Sequence, residues 1–140
     1  MANLKTPPAS SPAVRRRMRN TPRSNTPVEV EVRRFLHAMG LRYRVDHPIP
    51  HLTRSRPDIV FTRRRVAVYI DGCYWHFCPL HRSVPTTNRD WWIAKLQANA
   101  DRDVTHTKEL SDGGWTVLRF WEHEEPELIA ASVQSVVLQL

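Results

Sequence analysis

The chain has 140 residues, 41% of them apolar, and its 21 Lys and Arg against 14 Asp and Glu give a formal charge of +7 with a pI near 10.2. That length supports one domain with a modest core, and the apolar content excludes a wholly disordered chain. No apolar run approaches the ~20 residues that a membrane-crossing helix needs, and the N-terminus holds Pro, Ser and Arg where a signal peptide would be apolar. The expectation is a cytoplasmic, nucleoid-associated protein that does not engage membranes.

Residues 1–13 read as a disordered N-terminus and 14–26 as a basic arm that orders on its partner, centred on Arg15, Arg16, Arg17 and Arg19. The folded domain is expected over 27–140. Thr26 is a good N-cap, Pro27 suits the first turn, and Glu29 stands at capping-box spacing. Val28, Val32, Phe35, Leu36 and Met39 make one apolar stripe that Gly40 ends. A short strand follows at Leu41–Val45, then two strands, Asp58–Phe61 and Val66–Ile70, joined by the turn Thr62-Arg63-Arg64-Arg65. Both are apolar at consecutive positions, so both of their faces are expected to be covered. Residues 72–87 form a long irregular loop dense in Cys, His and aromatics, which in a small domain is functional or held by something other than a core. Asn88 is placed to cap a helix running to about Ser111, with an inner stripe of Ile93, Leu96, Ala100, Val104, Thr107 and Leu110. Trp115–Trp121 reads as another buried strand and Pro126–Leu140 as a closing amphipathic helix. The order gives an α/β fold, a mixed sheet flanked by helices.

Charge points to nucleic acid. Three of the 21 cations are lysines (Lys5, Lys95 and Lys108) and the rest are arginines, whose forks match phosphate oxygens and base edges. If the hairpin turn centres near Arg64, partners sum to about 128, placing Asp58 beside Ile70 with Asp71 at the same sheet end. A carboxylate, a backbone carbonyl and a second carboxylate there make a hard oxygen site suited to Mg²⁺; two unrelated turns would place the same residues. His76 titrates near pH 6.5 in its ordinary state and suits proton abstraction from water, though a lone His is commonly structural. Glu29 serves either as a second carboxylate at that site or as a capping-box residue. Cys73, Cys78, His81 and His123 offer a tetrahedral zinc set, against two buried cysteines and two surface histidines. Tyr74 and Trp75, with Trp91-Trp92 at the next helix start, suggest stacking on bases or core packing. Lys95, Asn99 and Arg102 share one helix face, facing DNA or only solvent.

Taken together these blocks resemble the very short patch repair endonucleases of the PD-(D/E)XK nuclease superfamily. The resemblance spans roughly residues 14–125 and rests on blocks in the same order: the Arg-rich arm, Thr26-Pro27-Val28-Glu29, Leu41-Arg42-Tyr43-Arg44, Arg56-Pro57-Asp58-Ile59-Val60-Phe61 and Asp71-Gly72-Cys73-Tyr74-Trp75-His76. They continue with Pro85, Asn88, Trp92, Lys95, Asn99, Arg102-Asp103, and Gly114-Trp115 through Trp121-Glu122-His123. It implies a restriction-endonuclease-like domain with a structural zinc loop that nicks one strand beside a T:G mismatch. Asp58 and the Ile70 carbonyl would hold catalytic Mg²⁺, His76 would be the general base, and Glu29 would support metal-bound water. Cys73, Cys78, His81 and His123 would hold Zn²⁺. Tyr74, Trp75 and Trp92 would wedge into DNA, with the Arg15–Arg19 arm as a clamp. Some members carry His at the position of Asp71, which leaves Asp71 as metal ligand or orienting group, and some carry Cys at that of His123. The superfamily lysine is absent at position 73. Expected partners are mismatched duplex DNA, a cytosine-5 DNA methyltransferase and mismatch-repair proteins, the enzyme itself acting as a monomer. A restriction-type or nonspecific nuclease of the same fold, a noncatalytic zinc-stabilised DNA-binding module and an RNA-binding protein stay open beside it.

Overall fold

A computed structural model describes residues 26–73, 76, 78–80 and 84–140. The arm residues Arg15, Arg16, Arg17 and Arg19, the aromatics Tyr74 and Trp75, and His81 lie outside the described residues. The elements run α1 (Pro27–Ala38), β1 (Arg44–Val45), β2 (Ile59–Phe61), β3 (Val66–Asp71), α2 (Arg89–Asp112), β4 (Thr116–Trp121) and α3 (Pro126–Gln139).

Helix α1 starts and stops where its sequence says. Thr26 Oγ1 accepts from the Glu29 N–H and Glu29 Oε2 accepts from the Thr26 N–H, completing the capping box. At the other end Gly40 adopts φ +87°, with its N–H on the His37 carbonyl and the Leu41 N–H on that of Leu36. This is a Schellman stop, and the left-handed backbone explains the glycine.

The four strands form one sheet in the order β1-β2-β3-β4, antiparallel across the first two seams and parallel between β3 and β4. Alternation along β3 sends Val66, Val68 and Ile70 to one face, where Val32 and Leu36 of α1 and Ile129, Ala130, Val133 and Val137 of α3 cover them. Ala67 and Tyr69 face the other way, against Ile49, Leu52 and Leu110. Both β2 and β3 are buried throughout, as continuous apolar runs require. Arg64, in the basic turn between them, donates to the Val137 carbonyl at 2.9 Å and to that of Leu140, closing the C-terminus of α3.

Several expectations need correction. β1 shrinks to two residues, because only Arg44 and Val45 find partners on β2. The hairpin pairs Ile59 with Val68 and Phe61 with Val66, one residue off a turn centred on Arg64, because all four residues Thr62 to Arg65 lie in the turn, the last at φ +55°. β4 is half-buried along its length because it is an edge strand. Asn88 takes a left-handed conformation (φ 57°) and makes no side-chain cap. The inner face of α2 is rotated from the expected stripe: Trp92, Leu96 and Leu110 are buried, whereas Ile93 is 37% and Val104 70% exposed. Between its buried ends that face carries the polar Asn99, Asp103, His106 and Thr107, all half-buried, so apolar periodicity turned Leu96, Ala100, Thr107 and Leu110 inward as found but placed Ile93 and Val104 on the wrong side.

In urea unfolding, Leu110→Ala should cost about 2–5 kcal/mol as a core truncation, and Val104→Ala no more than about 0.5 kcal/mol as a surface change. Comparable losses at both positions would contradict this orientation of α2.

Candidate active site

Two carboxyl groups meet where the first turn of α1 passes the start of β2. The capping box turns Glu29 inward, leaving it 4% exposed. Asp58 Oδ2 accepts the Ile70 N–H at 2.7 Å, so the carboxylate sits against the β3 backbone even though Ile70 is not its strand partner. Burial, then a hydrogen bond and charge repulsion from Glu29, push Asp58 up to about 9, and Asp71 adds to the repulsion. Glu29 is therefore both a helix-cap residue and a wall of the site.

Asp71 ends β3 and is 7% exposed. Burial raises its pKa, while His76 and Arg119 oppose that. His76 Nδ1 lies 3.8 Å from Asp71 Oδ1 but only 2.5 Å from Asp103 Oδ2 on α2, so Asp103 is its hydrogen-bond partner. Burial lowers the His76 pKa, yet the Asp103 bond and the charges of Asp71 and Asp103 outweigh it, leaving the imidazole more basic than usual. With Nδ1 given to Asp103, Nε2 is the nitrogen left to accept a proton.

The structure places Glu29, Asp58, Asp71 and His76 near one another, and adds Asp103, which the sequence reading quoted without a role, and Arg119, which it did not single out. Both carried a signal. Asp103 lies seven residues from each of Leu96 and Leu110, on the inner face of α2, and Arg119 interrupts the apolar strand Thr116–Trp121.

The thiols gather beside this cluster. The ligand atoms of Cys73, Cys78 and His123 lie within 4.8 Å of one another. Cys73 Sγ and Cys78 Sγ stand 3.3 and 3.8 Å from His123 Nδ1, close to the ~3.5 Å edge of a tetrahedron with Zn–S near 2.3 Å and Zn–N near 2.05 Å. Burial and the neighbouring Cys78 push the Cys73 thiol up to about 11. Two buried cysteines beside an imidazole fit a soft divalent ion. The Asp58–Glu29 pair, with oxygen donors only and no Lys or Arg among the causes of its shift, fits a hard one.

The expected DNA-facing aromatics divide. Trp92 is 8% exposed and packs edge-to-face with Trp91 at 4.8 Å, so in the free chain it is a core residue and not an available wedge. Lys95 and Asn99 are half-buried; Arg102 is exposed.

A family model described as DNA mismatch endonuclease Vsr matches residues 10–82, just over half of the chain. The chain belongs to this family. It is therefore a DNA endonuclease. It is 47% identical over 120 residues to the type II nicking enzyme V.NaeI of Lentzea aerocolonigenes, covering 84% of this chain and 72% of that one. To the type II nicking enzyme V.XorIIP of Xanthomonas oryzae pv. oryzae it is 36% identical over 122 residues, 84% of this chain and 86% of the relative. To DNA mismatch endonuclease Vsr of Escherichia coli it is 34% identical over 108 residues, 75% of this chain and 66% of the relative. The matched stretch includes Glu29, Asp58, Asp71, Cys73, His76 and Cys78; Asp103, Arg119 and His123 follow it. No helix among the described residues is long and apolar enough to cross a membrane.

The Asp58 shift has a consequence for stability. Its carboxyl holds a proton to about 9 when folded, against the ordinary value of 3.8 when unfolded. The folded state thus binds the extra proton between those values, and stability falls as pH rises through the window. His76, also raised on folding, adds to the same trend. In EDTA the melting temperature should drop from pH 5 to pH 9, with a markedly shallower slope in Asp58→Asn; parallel slopes would contradict the buried acid pair.

Proposed function

We propose that the chain nicks one strand of duplex DNA beside a T:G mismatch by Mg²⁺-dependent hydrolysis. The observation that carries the reading is the contiguous set Glu29–Asp58–Asp71–His76–Asp103, which joins a close pair of acids with no cation partner among the described residues to an oriented imidazole. A DNA-binding module without catalysis has no use for that arrangement. Asp58 and the Ile70 carbonyl would hold the Mg²⁺, with Glu29 supporting its waters. When bound, the ion supplies Lewis-acid polarisation of the scissile phosphodiester and neutralises charge developing on it.

The residues divide the remaining work. Asp103 fixes the imidazole through Nδ1, and His76 Nε2 takes a proton from water. The water oxygen bonds to phosphorus, the bond from phosphorus to the 3′ oxygen breaks, and that oxygen takes up a proton. The products are a 5′-phosphate and a 3′-hydroxyl. Cys73, Cys78, His123 and His81 would hold a structural Zn²⁺ that braces the 72–87 loop. Tyr74 and Trp75 on that loop would insert beside the mismatch, where a poorly stacked pair costs less to open. The Arg15–Arg19 arm would clamp the duplex, with Lys95, Asn99 and Arg102 along α2. A T:G mismatch arises when 5-methylcytosine loses its amino group, which makes a cytosine-5 methyltransferase the natural functional partner and other mismatch-repair proteins the natural company.

End-labelled duplexes differing only by T:G, T:A or C:G at one position, incubated with Mg²⁺ in several flanking sequences, test the reading. We expect a single-strand nick confined to T:G, reduced at least ~10³-fold in Asp58→Ala while DNA binding stays within a few-fold. Cutting of every duplex would point to a restriction-type or nonspecific nuclease, and tight binding without cutting to a noncatalytic module. For the second metal, purified protein should carry about one zinc per chain, lost with the loop's order in Cys73→Ser. A zinc-free chain that melts and cuts normally would sink that assignment.

A further inference from the structure

Arg119 lies beyond the stretch matched by the family model and outside the set of acids used above, yet it touches two of its members. On β4 it stands opposite Tyr69 in the parallel register and points, as Trp115 and Val117 do, to the α2 side of the sheet. Its Nη1 donates to both carboxylate oxygens of Asp71, at 3.1 and 3.0 Å. Nε donates to Thr107 Oγ1 at 2.7 Å and Nη2 to the Asp103 carbonyl at 3.2 Å. The guanidinium also lies over the Tyr69 ring, 4.0 Å from its centroid, and Nη1 is 3.9 Å from Asp103 Oδ1. Contacts from β3 and α2 therefore hold every part of the fork.

The ligand atoms of Asp71, His76 and Asp103 fall within 4.8 Å of one another, close enough to hold a cation. Two carboxylates so near each other, one of them buried, repel unless something positive stands between them. Here the guanidinium does. A lysine ammonium is a compact point charge without the planar fork that reaches a carboxylate, a carbonyl and a hydroxyl at once while lying flat on an aromatic ring.

We propose that Arg119 is a positioning residue of the nicking site, a built-in cation that ties Asp71 to α2 and so holds Asp103 and His76 in their working arrangement. The proposal rests on the nuclease reading above. It gives Asp71 the orienting role: both of its oxygens are engaged by Arg119, whereas Asp58, whose Oδ2 accepts the Ile70 N–H, meets no cation among the described residues. It also accounts for an arginine in the middle of an otherwise apolar strand.

The test uses the full chain as wild type, Arg119→Met, Arg119→Lys and the double variant Arg119→Met with Asp71→Asn. One readout needs no turnover. In ¹⁵N-histidine-labelled protein the short His76–Asp103 bond should give a downfield Nδ1 proton, identified by its absence from His76→Gln. That signal should vanish in Arg119→Met while the methyl spectrum of the core is kept. On mismatched duplex, kcat should fall ~10–100-fold, as for loss of a supporting contact, with the Kd for DNA within about threefold. Arg119→Lys should recover little, because it lacks the fork, whereas neutralising Asp71 in the double variant should restore much of kcat and the proton signal. A retained signal with normal kcat would overturn the proposal. So would a loss of kcat that tracks a collapsed methyl spectrum or an equal loss of DNA binding, since that describes structure and not positioning. If the wild type cuts no duplex, the function reading fails by itself, and the proton signal still decides whether Arg119 sets His76.

Discussion

The parallel seam between β3 and β4 is the constraint on which the rest of the site depends. Six consecutive pairs, from Val66–Thr116 to Asp71–Trp121, fix the two strands in one register. The Glu122 N–H then donates to the Asp71 carbonyl, and Glu122 Oε1 accepts from the Cys73 N–H at 3.0 Å. The chain leaving β3 is thereby held against the chain leaving β4. One consequence is that His123 meets Cys73 and Cys78; another is that Arg119 meets Asp71. A slip of one residue would turn Arg119 to the opposite face of the sheet, among the aliphatic side chains beneath α1 and α3.

Charge within the site is handled in two ways. Around Asp71 and Asp103 the compensation is internal, through Arg119 and His76. At Asp58 and Glu29 no cation partner stands among the described residues, and Asp58 holds a proton instead. The contrast separates a half of the site whose acids meet Arg119 and His76 from a half whose acid keeps a proton, since a buried acid without a basic partner is satisfied either by a proton or by a metal. The thiol cluster repeats the second pattern in soft-ligand form, with Cys73 also holding its proton.

The two faces of the sheet carry different duties. The aliphatic layer under α1 and α3 supplies the core, with Val32, Leu36, Ile129 and Val133 all at most 1% exposed. The α2 side is mixed. Leu110 packs on Ala67 and Tyr69, while a polar chain from Tyr69 OH through Ser55 and Thr53 to His106 ties the loop before Asp58 to the helix. That loop is therefore braced by hydrogen bonds as well as by Ile49 and Leu52, which keeps the approach to Asp58 in place.

By itself the sequence determined the local features: the Thr26–Glu29 capping box, the Gly40 stop, the continuous apolar runs of β2 and β3, and the motif residues Asp58, Asp71 and His76. Such signals live within a few positions of one another and are set by backbone chemistry and burial period. Only the tertiary structure decided which residues α2 turns inward, the register of the hairpin and the partners of Asp71 and His76. Ile93 and Val104 of α2 were read as inner residues because the inner face is polar in its middle: apolar periodicity locates a core but cannot locate a wall of charged side chains. Asp103 and Arg119 escaped because their partners lie 27 and 48 residues away along the chain. Pairings at that separation are set by how helix and strand pack across the sheet, information that no local pattern of residues contains.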